Sequence, residues 1–155
     1  MLLAIDIGNS KIALGVFEGD EIKATWSIAS GLHRLTDEYA AIILNLLPRQ
    51  GMDIDRIHHV VLCSVVPPLV TTFEDLCQRY MGVTPLTVEA GTRTGVRVST
   101  DNPREVGADR VVNAAAAYKL YGGPVIIIDL GTAMTFDAVS YEGEYLGGAI
   151  APGMD

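Results

Sequence analysis

The feature that most constrains the fold is a strand-turn-strand unit that occurs twice in the chain. In each copy, an apolar run ends in Asp-x-Gly followed by a small polar residue, and a second alternating strand comes next. The first copy contains Asp6 and the second contains Asp129. The match continues to Glu18-Gly19-Asp20 in one copy and to Glu142-Gly143-Glu144 in the other. This repetition predicts a duplicated domain, and a chance likeness of two hydrophobic hairpins is the alternative.

The first Asp-x-Gly turn has the chemistry of a phosphate-binding hairpin. An aspartate that ends a buried strand before a glycine directs a carboxylate and backbone N–H groups at one point, which suits a polyphosphate and its Mg²⁺. Gly8 allows a close approach of the ligand, and Asn9 and Ser10 offer donors. Lys11 either meets a phosphate or turns outward by strand alternation.

The second turn offers a complementary set of groups. Asp129 suits a cation or its water shell, and Thr132 suits a phosphate oxygen. Asp137 follows on the next strand and is interpreted as a turn residue or as a supporting contact, rather than as a catalytic group. Two such turns predict a nucleotide held between two similar halves.

A third element is Gly107-Ala108-Asp109-Arg110, which begins the helix that joins the two halves. One interpretation is structural, because Asp109 at this position caps the helix and complements its dipole. The other is chemical, with Asp109 as general base for a substrate hydroxyl and Arg110 as a fork for an anionic group. The residues alone leave both interpretations open.

Hydrophobic periodicity predicts the order of the elements. After an initial set of strands come helix, strand, helix, strand and helix, and the strand pattern then restarts; the initial strands are residues 2–7, 11–17 and 21–28. Thr36 is the expected N-cap of the first helix, and Gly82 is the expected stop of the second. A further strand is predicted over residues 84–88, and the joining helix over residues 108–121.

Composition excludes several classes of partner. The net charge of −8 argues against nucleic acid. No apolar stretch approaches the ~20 residues of a membrane span, and the N-terminus lacks the basic region of a signal peptide. Cys63 and Cys77 have no metal-ligand spacing, which favours core packing in a reducing compartment. We therefore expect a soluble cytoplasmic protein.

Taken together, these motifs resemble type III pantothenate kinases, a family in the superfamily of actin, sugar kinases and acetate kinases. The resemblance covers the whole chain in family order, and the Gly-Ala-Asp-Arg block is its family-specific part. It rests on Asp6-x-Gly8-Asn9-Ser10, residues 101–110, Asp129-x-Gly131-Thr132-Ala133, Ser64-Val65-Val66-Pro67 and the terminal Gly147-Gly148-x-Ile150-x-Pro152-Gly153.

The resemblance implies an α/β fold with an actin-like (ribonuclease H-like) duplicated domain, in which helices flank a mixed sheet. Residues 1–122 would form the N-terminal domain with its linking helix, and residues 123–155 the start of a second, incomplete domain. A sheet left without covering helices is poorly stable. We therefore expect the N-terminal part of a longer protein, or a chain that obtains the missing half elsewhere.

The resemblance also assigns roles to the motif residues. It implies an ATP-phosphate segment composed of Asp6, Ile7, Gly8, Asn9, Ser10, Lys11, Ile12 and Ala13. It implies ATP binding by Thr132, Mg²⁺ near Asp6 and Asp129, and an activating monovalent cation (K⁺ or NH4⁺) on Asp129.

Pantothenate would be bound by Gly107, Ala108, Asp109 and Arg110, with Asp109 as proton acceptor. Some relatives carry a substrate-contacting Tyr where this chain has Thr100. Family members are longer, and their additional residues complete the second domain, help to hold the adenosine and supply a pantothenate contact at the interface of a homodimer.

The implied function is ATP-dependent phosphorylation of pantothenate, the first step of coenzyme A synthesis. One alternative is a kinase of the same superfamily with another hydroxyl acceptor, and the other is a non-catalytic nucleotide-binding regulatory or assembly homologue. The joint presence of Asp6, Asp109 and Asp129 favours catalysis, because a protein that only binds has no need of the base. Residues 1–155 alone are expected to show little kinase activity.

Overall fold

The computed structural model describes residues 1–153. These residues form two compact units, the first spanning Met1–Val88 and the second beginning at Glu89. The domain boundary predicted after residue 122 stays a prediction, because compactness does not decide how duplicated domains divide. Met154 and Asp155, the last residues of the predicted second domain, lie outside the described residues.

The first unit is a mixed sheet with helices packed against it. Its elements are β1 (Leu2–Ile7), β2 (Lys11–Glu18), β3 (Glu21–Ala29), α1 (Thr36–Arg49), β4 (His59–Ser64), α2 (Pro67–Leu76) and β5 (Leu86–Thr87). The strand order is β3-β2-β1-β4-β5. The first three strands form an antiparallel meander, and β4 lies parallel to both β1 and β5. The carboxyl ends of β1 and β4 therefore lie side by side.

Strict alternation places one face of the sheet in the core of the first unit. Leu3, Ile5 and Ile7 of β1 are buried, together with the alternate residues of β2. The helices supply the other side, where the Tyr39 ring packs 4.8 Å from the Phe73 ring. The Tyr39 hydroxyl also accepts a hydrogen bond from Gly31 N–H at 2.9 Å, which satisfies its polar group inside the core.

Element boundaries differ from the prediction where local signals are weak. Thr36 is the first residue of α1 rather than its N-cap, which is Leu35. The helix start is instead closed by Glu38, whose carboxylate accepts from Leu35 N–H at 2.8 Å. α2 continues into a π-helix and ends at Gly82, whose φ of 65° confirms the predicted stop. The strand predicted over residues 84–88 shortens to β5, because Leu86–Thr87 is the part of this segment that pairs with β4.

The second unit repeats the antiparallel meander. Its elements are β6 (Arg97–Val98), α3 (Ala108–Tyr121), β7 (Val125–Leu130), β8 (Ala133–Val139) and β9 (Glu144–Pro152). The order is β6-β9-β8-β7, with β6 parallel to β9. α3 has the predicted bounds. β6 was not predicted, because its two residues become a strand only through pairing with Glu144 and Tyr145.

One face of this second sheet is apolar and exposed. α3 packs against β7 and β8, and Ala114, Val139 and Tyr145 form the buried core there. The uncovered side chains on this face include Ile126, Ile128 and Leu130 of β7. The strand-turn-strand repeat is confirmed as a pair of meanders, and the expected uncovered apolar face of the second one is present within residues 1–153.

Both cysteines are buried and unbridged, as predicted for core packing. Burial, assisted by the nearby charge of Glu74, raises the pKa of the Cys77 thiol to about 12.

Within residues 1–153, none of the helices combines the length and the apolar character that crossing a bilayer requires.

We predict that Phe73→Ala lowers the free energy of unfolding of the first unit by about 3–5 kcal/mol, because truncating a fully buried ring leaves a cavity beside Tyr39. The fluorescence of Trp26, which packs against the same core, reports denaturant unfolding of this unit. Leu86→Ala is the control, since Leu86 is 59% exposed; it should cost about 0.5 kcal/mol or less. Equal losses in the two variants would contradict this description of the core.

Candidate active site

The first predicted phosphate turn connects β1 to β2 and is closed by backbone hydrogen bonds. Gly8 N–H donates to Lys11 O at 3.0 Å, and Ser30 N–H donates to Ser10 O at 3.0 Å. A Cβ on Gly8 would lie 3.0 Å from Lys11 O, which is tighter than ordinary contact. The close turn therefore favours glycine at this position.

The residues of this turn differ in how far their side chains are exposed to solvent. The side chains of Asp6, Asn9, Ser10 and Lys11 are exposed, and Gly8 and Ala13 are half-buried. Ile7 and Ile12 face each other across the strand pair and are fully buried in the core. These two isoleucines can therefore offer a ligand only their backbone atoms, and their burial anchors the turn.

The segment after β4 lies beside this turn. Ile7 pairs with Ser64, and Val65 N–H donates to Ile7 O at 3.1 Å. The Ser64 hydroxyl accepts from Val66 N–H at 3.0 Å and so shapes the entry into α2. The Ser-Val-Val-Pro motif is thus adjacent to the first Asp-x-Gly turn.

The second turn connects β7 to β8 in a similar way. Gly131 N–H donates to Ala133 O at 3.1 Å, and Gly153 N–H donates to Thr132 O at 3.2 Å. A Cβ on Gly153 would overlap with Gly131 O and Thr132 O. The terminal Pro-Gly segment therefore lies against the turn that carries Thr132, where only glycine fits.

α3 brings the predicted acceptor residues to the same part of the second unit. The N-cap of α3 is Gly107, and Asp109 lies in the first turn. The Asp109 Oδ1 atom accepts from Arg110 N–H at 2.8 Å. Asp109 is therefore near the positive end of the helix dipole without being its N-cap.

Asn113 connects this helix to the second turn. Its Nδ2 atom donates to Asp129 Oδ2 at 3.2 Å. Asp109 and Asn113 are four residues apart and so lie on one side of α3. The candidate proton acceptor and the candidate cation ligand therefore border one side of the helix. Sequence reasoning missed Asn113, although its spacing from Asp109 was a usable signal.

Arg110 and Asp137 form a buried ion pair. Arg110 Nε donates to Asp137 Oδ1 at 2.8 Å, and Tyr145 donates its hydroxyl to the same oxygen at 2.6 Å. The Asp137 side chain is fully buried, and that of Arg110 is 14% exposed. Asp137 lies within β8, so the interpretation as a turn residue is wrong. Its contact with Arg110 agrees with the interpretation as a supporting residue, which stays a prediction.

The surroundings of Asp137 shift the pKa values of Arg110 and Tyr145. Burial lowers the pKa of the Arg110 guanidinium, but the hydrogen bond and charge of Asp137 outweigh this effect, so the net pKa is raised. Burial, together with the hydrogen bond to Asp137, raises the pKa of the Tyr145 phenol. Arg110 therefore remains a cation and Tyr145 a neutral donor at physiological pH.

Thr100 lies just after β6, beside the same strand. A Cβ on Gly147 would lie 3.6 Å from Thr100 Cγ2, and one on Gly148 would overlap with Arg110 Nη2. Thr100 and Arg110 thus both border the Gly147-Gly148 segment of β9. The Thr100 Oγ1 atom is buried and has no hydrogen-bond partner among residues 1–153.

The predicted site residues therefore fall into two sets. The ATP-phosphate segment belongs to the first unit, and Thr100, Gly107, Ala108, Asp109, Arg110, Asp129 and Thr132 belong to the second. Within residues 1–153, no group of three or more His, Cys, Asp or Glu side chains is arranged to hold a metal by itself. A cation bound by Asp6 or by Asp129 would need further ligands from the bound phosphates, as is usual for Mg²⁺.

Sequence comparison identifies relatives over nearly the whole chain. The family model described as type III pantothenate kinase matches residues 2–155. A type III pantothenate kinase of Dehalococcoides mccartyi is 54% identical over 153 residues, which cover 99% of this chain and 58% of the relative. Another, from Moorella thermoacetica, is 52% identical and covers 99% of this chain and 61% of the relative. The chain thus spans about three fifths of these relatives' length.

Comparison with solved structures supports the fold alone. The ethanolamine utilization protein EutJ of Carboxydothermus hydrogenoformans aligns with a TM-score of 0.55 at 15% identity, over 97% of this chain and 51% of that one. A putative N-acetylglucosamine kinase of Porphyromonas gingivalis aligns with a TM-score of 0.53 at 13% identity, over 96% and 47%. The predicted actin-like α/β fold class, with mixed sheets flanked by helices, is confirmed.

We predict that Gly148→Ala destabilises the second unit by at least about 2 kcal/mol, because the added methyl overlaps with backbone and with the buried ion pair. Thermal unfolding followed by circular dichroism measures the loss. Gly131→Ala is the matched control, since its Cβ would meet only Ala133 O at 3.6 Å. If both variants melt alike, Gly148 is not required for packing.

Proposed function

This chain belongs to the type III pantothenate kinase family, and we propose that it supplies the phosphate-binding and acceptor-binding residues of an enzyme that phosphorylates pantothenate with ATP. The product is phosphopantothenate, the first intermediate of coenzyme A synthesis. The observation that carries the proposal is the Asn113–Asp129 hydrogen bond, which brings the α3 side that holds Asp109 to the second Asp-x-Gly turn. Membership of this family supports the choice of acceptor.

The first hairpin binds the ATP phosphates in this proposal. Its backbone N–H groups and the side chains of Asn9, Ser10 and Lys11 are exposed donors, and the buried isoleucines on either side hold the turn in shape. Thr132 of the second turn contributes a hydroxyl to ATP. Preformed donors of this kind lower the entropic cost of ordering the triphosphate.

Cations complete the phosphate site. Mg²⁺ is commonly bound through one or two carboxylates together with phosphate oxygens, and Asp6 and Asp129 provide exposed carboxylates for this purpose. Asp129, oriented by Asn113, also holds the activating K⁺ or NH4⁺. When bound, these cations neutralise charge on the transferred phosphoryl group.

Asp109 accepts the proton of the pantothenate hydroxyl. It is half-buried at the start of α3, with the Gly107 and Ala108 backbone beside it. Arg110 binds the anionic end of the substrate, and Thr100 forms part of the wall near Gly147. Phosphoryl transfer depends mainly on positioning and charge stabilisation, so these contacts account for most of the chemistry expected from protein groups.

The proposal includes a homodimer and a cytoplasmic location. Buried, unbridged cysteines agree with a reducing compartment in which ATP is available. The low activity expected of residues 1–155 alone stays a prediction, consistent with a chain that spans 58% of the length of a close relative.

The decisive experiment supplies the full-length protein with ATP, Mg²⁺ and a panel of hydroxyl compounds that includes pantothenate. We expect ADP release that depends on pantothenate, with phosphopantothenate identified by mass spectrometry. Phosphorylation of another compound but not of pantothenate would show a different acceptor. ATP binding without turnover of any compound would show a non-catalytic homologue.

We predict that Asp109→Asn lowers kcat by roughly 10²- to 10⁴-fold, the usual contribution of a general base. The amide keeps the shape of the side chain but cannot take the proton, so ATP affinity measured by calorimetry should stay within about twofold. Glu105→Gln is the control, because it removes an exposed carboxylate just before α3. Near-normal turnover by Asp109→Asn would overturn the proton-acceptor role.

A further inference from the structure

We propose that Asp137 is a positioning residue, which holds Arg110 by one edge of its guanidinium and leaves Nη1 as the donor for the anionic group of the acceptor. The inference deepens the proposed function and rests on it for the identity of the acceptor. The contacts with Asp137 use Nε and Nη2 of Arg110 and not Nη1. Arg110 would then recognise the acceptor through a single oriented donor rather than through a free two-pronged fork.

The carboxylate of Asp137 is itself held from several directions. Tyr145 of β9 donates to Oδ1 at 2.6 Å, and Thr135 donates to Oδ2 at 3.3 Å from the same strand. Arg110 Nη2 lies 2.6 Å from Oδ1, as an ion-pair contact rather than a well-aligned hydrogen bond. Each carboxylate oxygen therefore has a partner, which is the condition for keeping a buried charge in place.

The opposite strand makes room for the guanidinium. Gly148 pairs directly with Asp137 across the β8–β9 ladder. A Cβ on Gly148 would overlap with Arg110 Nη2 and would lie 2.7 Å from Asp137 Oδ1. Because position 148 has no side chain, the guanidinium can lie over the strand pair. Gly148 in this motif is thus required by the ion pair together with the Phe136 carbonyl oxygen, which a Cβ would also overlap.

The aromatic ring of Tyr145 limits the remaining movement. Its centroid lies 5.9 Å from Arg110 Cζ, within the range of a cation–π contact, and the residue is fully buried. A solvated arginine side chain loses conformational entropy when it is immobilised. In this arrangement the side-chain entropy of Arg110 is lost during folding. Binding of the acceptor therefore does not lose it a second time.

The arrangement also changes what Arg110 contributes electrostatically. Its positive charge is balanced by Asp137, so the pair as a whole is neutral. Recognition of an anion then depends on the direction of Nη1 and on low solvent exposure, and less on long-range attraction. Loss of Asp137 should therefore weaken binding of the acceptor while the phosphate contacts, which use other residues, are retained.

The test compares Asp137→Asn with wild type in the full-length protein. We predict that KM for pantothenate rises about 10- to 100-fold, the loss expected from one charge-assisted contact. KM for ATP and kcat should each change less than about threefold. Glu142→Gln removes an exposed carboxylate from the same hairpin and should leave all three constants unchanged.

Tyr145→Phe provides a milder variant in case Asp137→Asn does not fold. It keeps the ring but removes one hydrogen bond to Asp137, so KM for pantothenate should rise about 3- to 10-fold. A double-mutant cycle completes the comparison: in an Arg110→Ala background, Tyr145→Phe should have no further effect on that KM. Additive effects, or equal losses in kcat and in both KM values, would overturn the positioning role.

An NMR measurement separates this inference from the proposed function. The Arg110 Nε–H should exchange slowly with solvent in wild type and markedly faster in Tyr145→Phe. Fast exchange in wild type would overturn the positioning role even if pantothenate is phosphorylated. Slow exchange in a protein that does not phosphorylate pantothenate would overturn the proposed function and leave the positioning of Arg110 intact.

Discussion

A desolvated carboxylate governs the arrangement of the second unit. Asp137 is 1% exposed, and a charge in that environment is tolerated only with a cation and hydrogen-bond donors around it. That requirement places Arg110, and with it the first turn of α3, against β8 and β9. It also requires glycine at position 148, where a side chain would displace the guanidinium. Helix, strands and a motif glycine thus depend on one buried charge.

The first unit anchors its proposed phosphate-binding turn by different means. Ile7 and Ile12 are fully buried on either side of its Asp-x-Gly turn. Apolar anchoring leaves the polar groups of Asn9 and Ser10 at the surface. In the proposed division of roles, the exposed turn would bind phosphate and the helix start near the buried pair would bind the acceptor.

Much of the fold could be predicted because its signals are local. Alternation in β1 and β2, the glycine stop at Gly82 and the bounds of α3 all follow from spacing within a few residues. The failures are a strand that pairing creates and a helix boundary that a neighbouring side chain decides. β6 has two residues and exists only because Arg97 and Val98 meet β9, and Thr36 lost the N-cap position because Glu38 closes the helix start through its own side chain.

The candidate site, like the fold, could be predicted from the sequence only in part. The sequence by itself determined which chemical groups the Asp-x-Gly turns and the Gly-Ala-Asp-Arg block carry. Those residue types and their spacings are local features of the chain and do not depend on its folding. Only the tertiary structure decided that Asp137 pairs with Arg110 and that Asn113 contacts Asp129. The first pair is 27 residues apart in the chain and the second is 16 residues apart. The cost of burying the charge of Asp137 selects its pairing with Arg110, and that cost is determined by the packed sheet and helix rather than by the neighbouring residues.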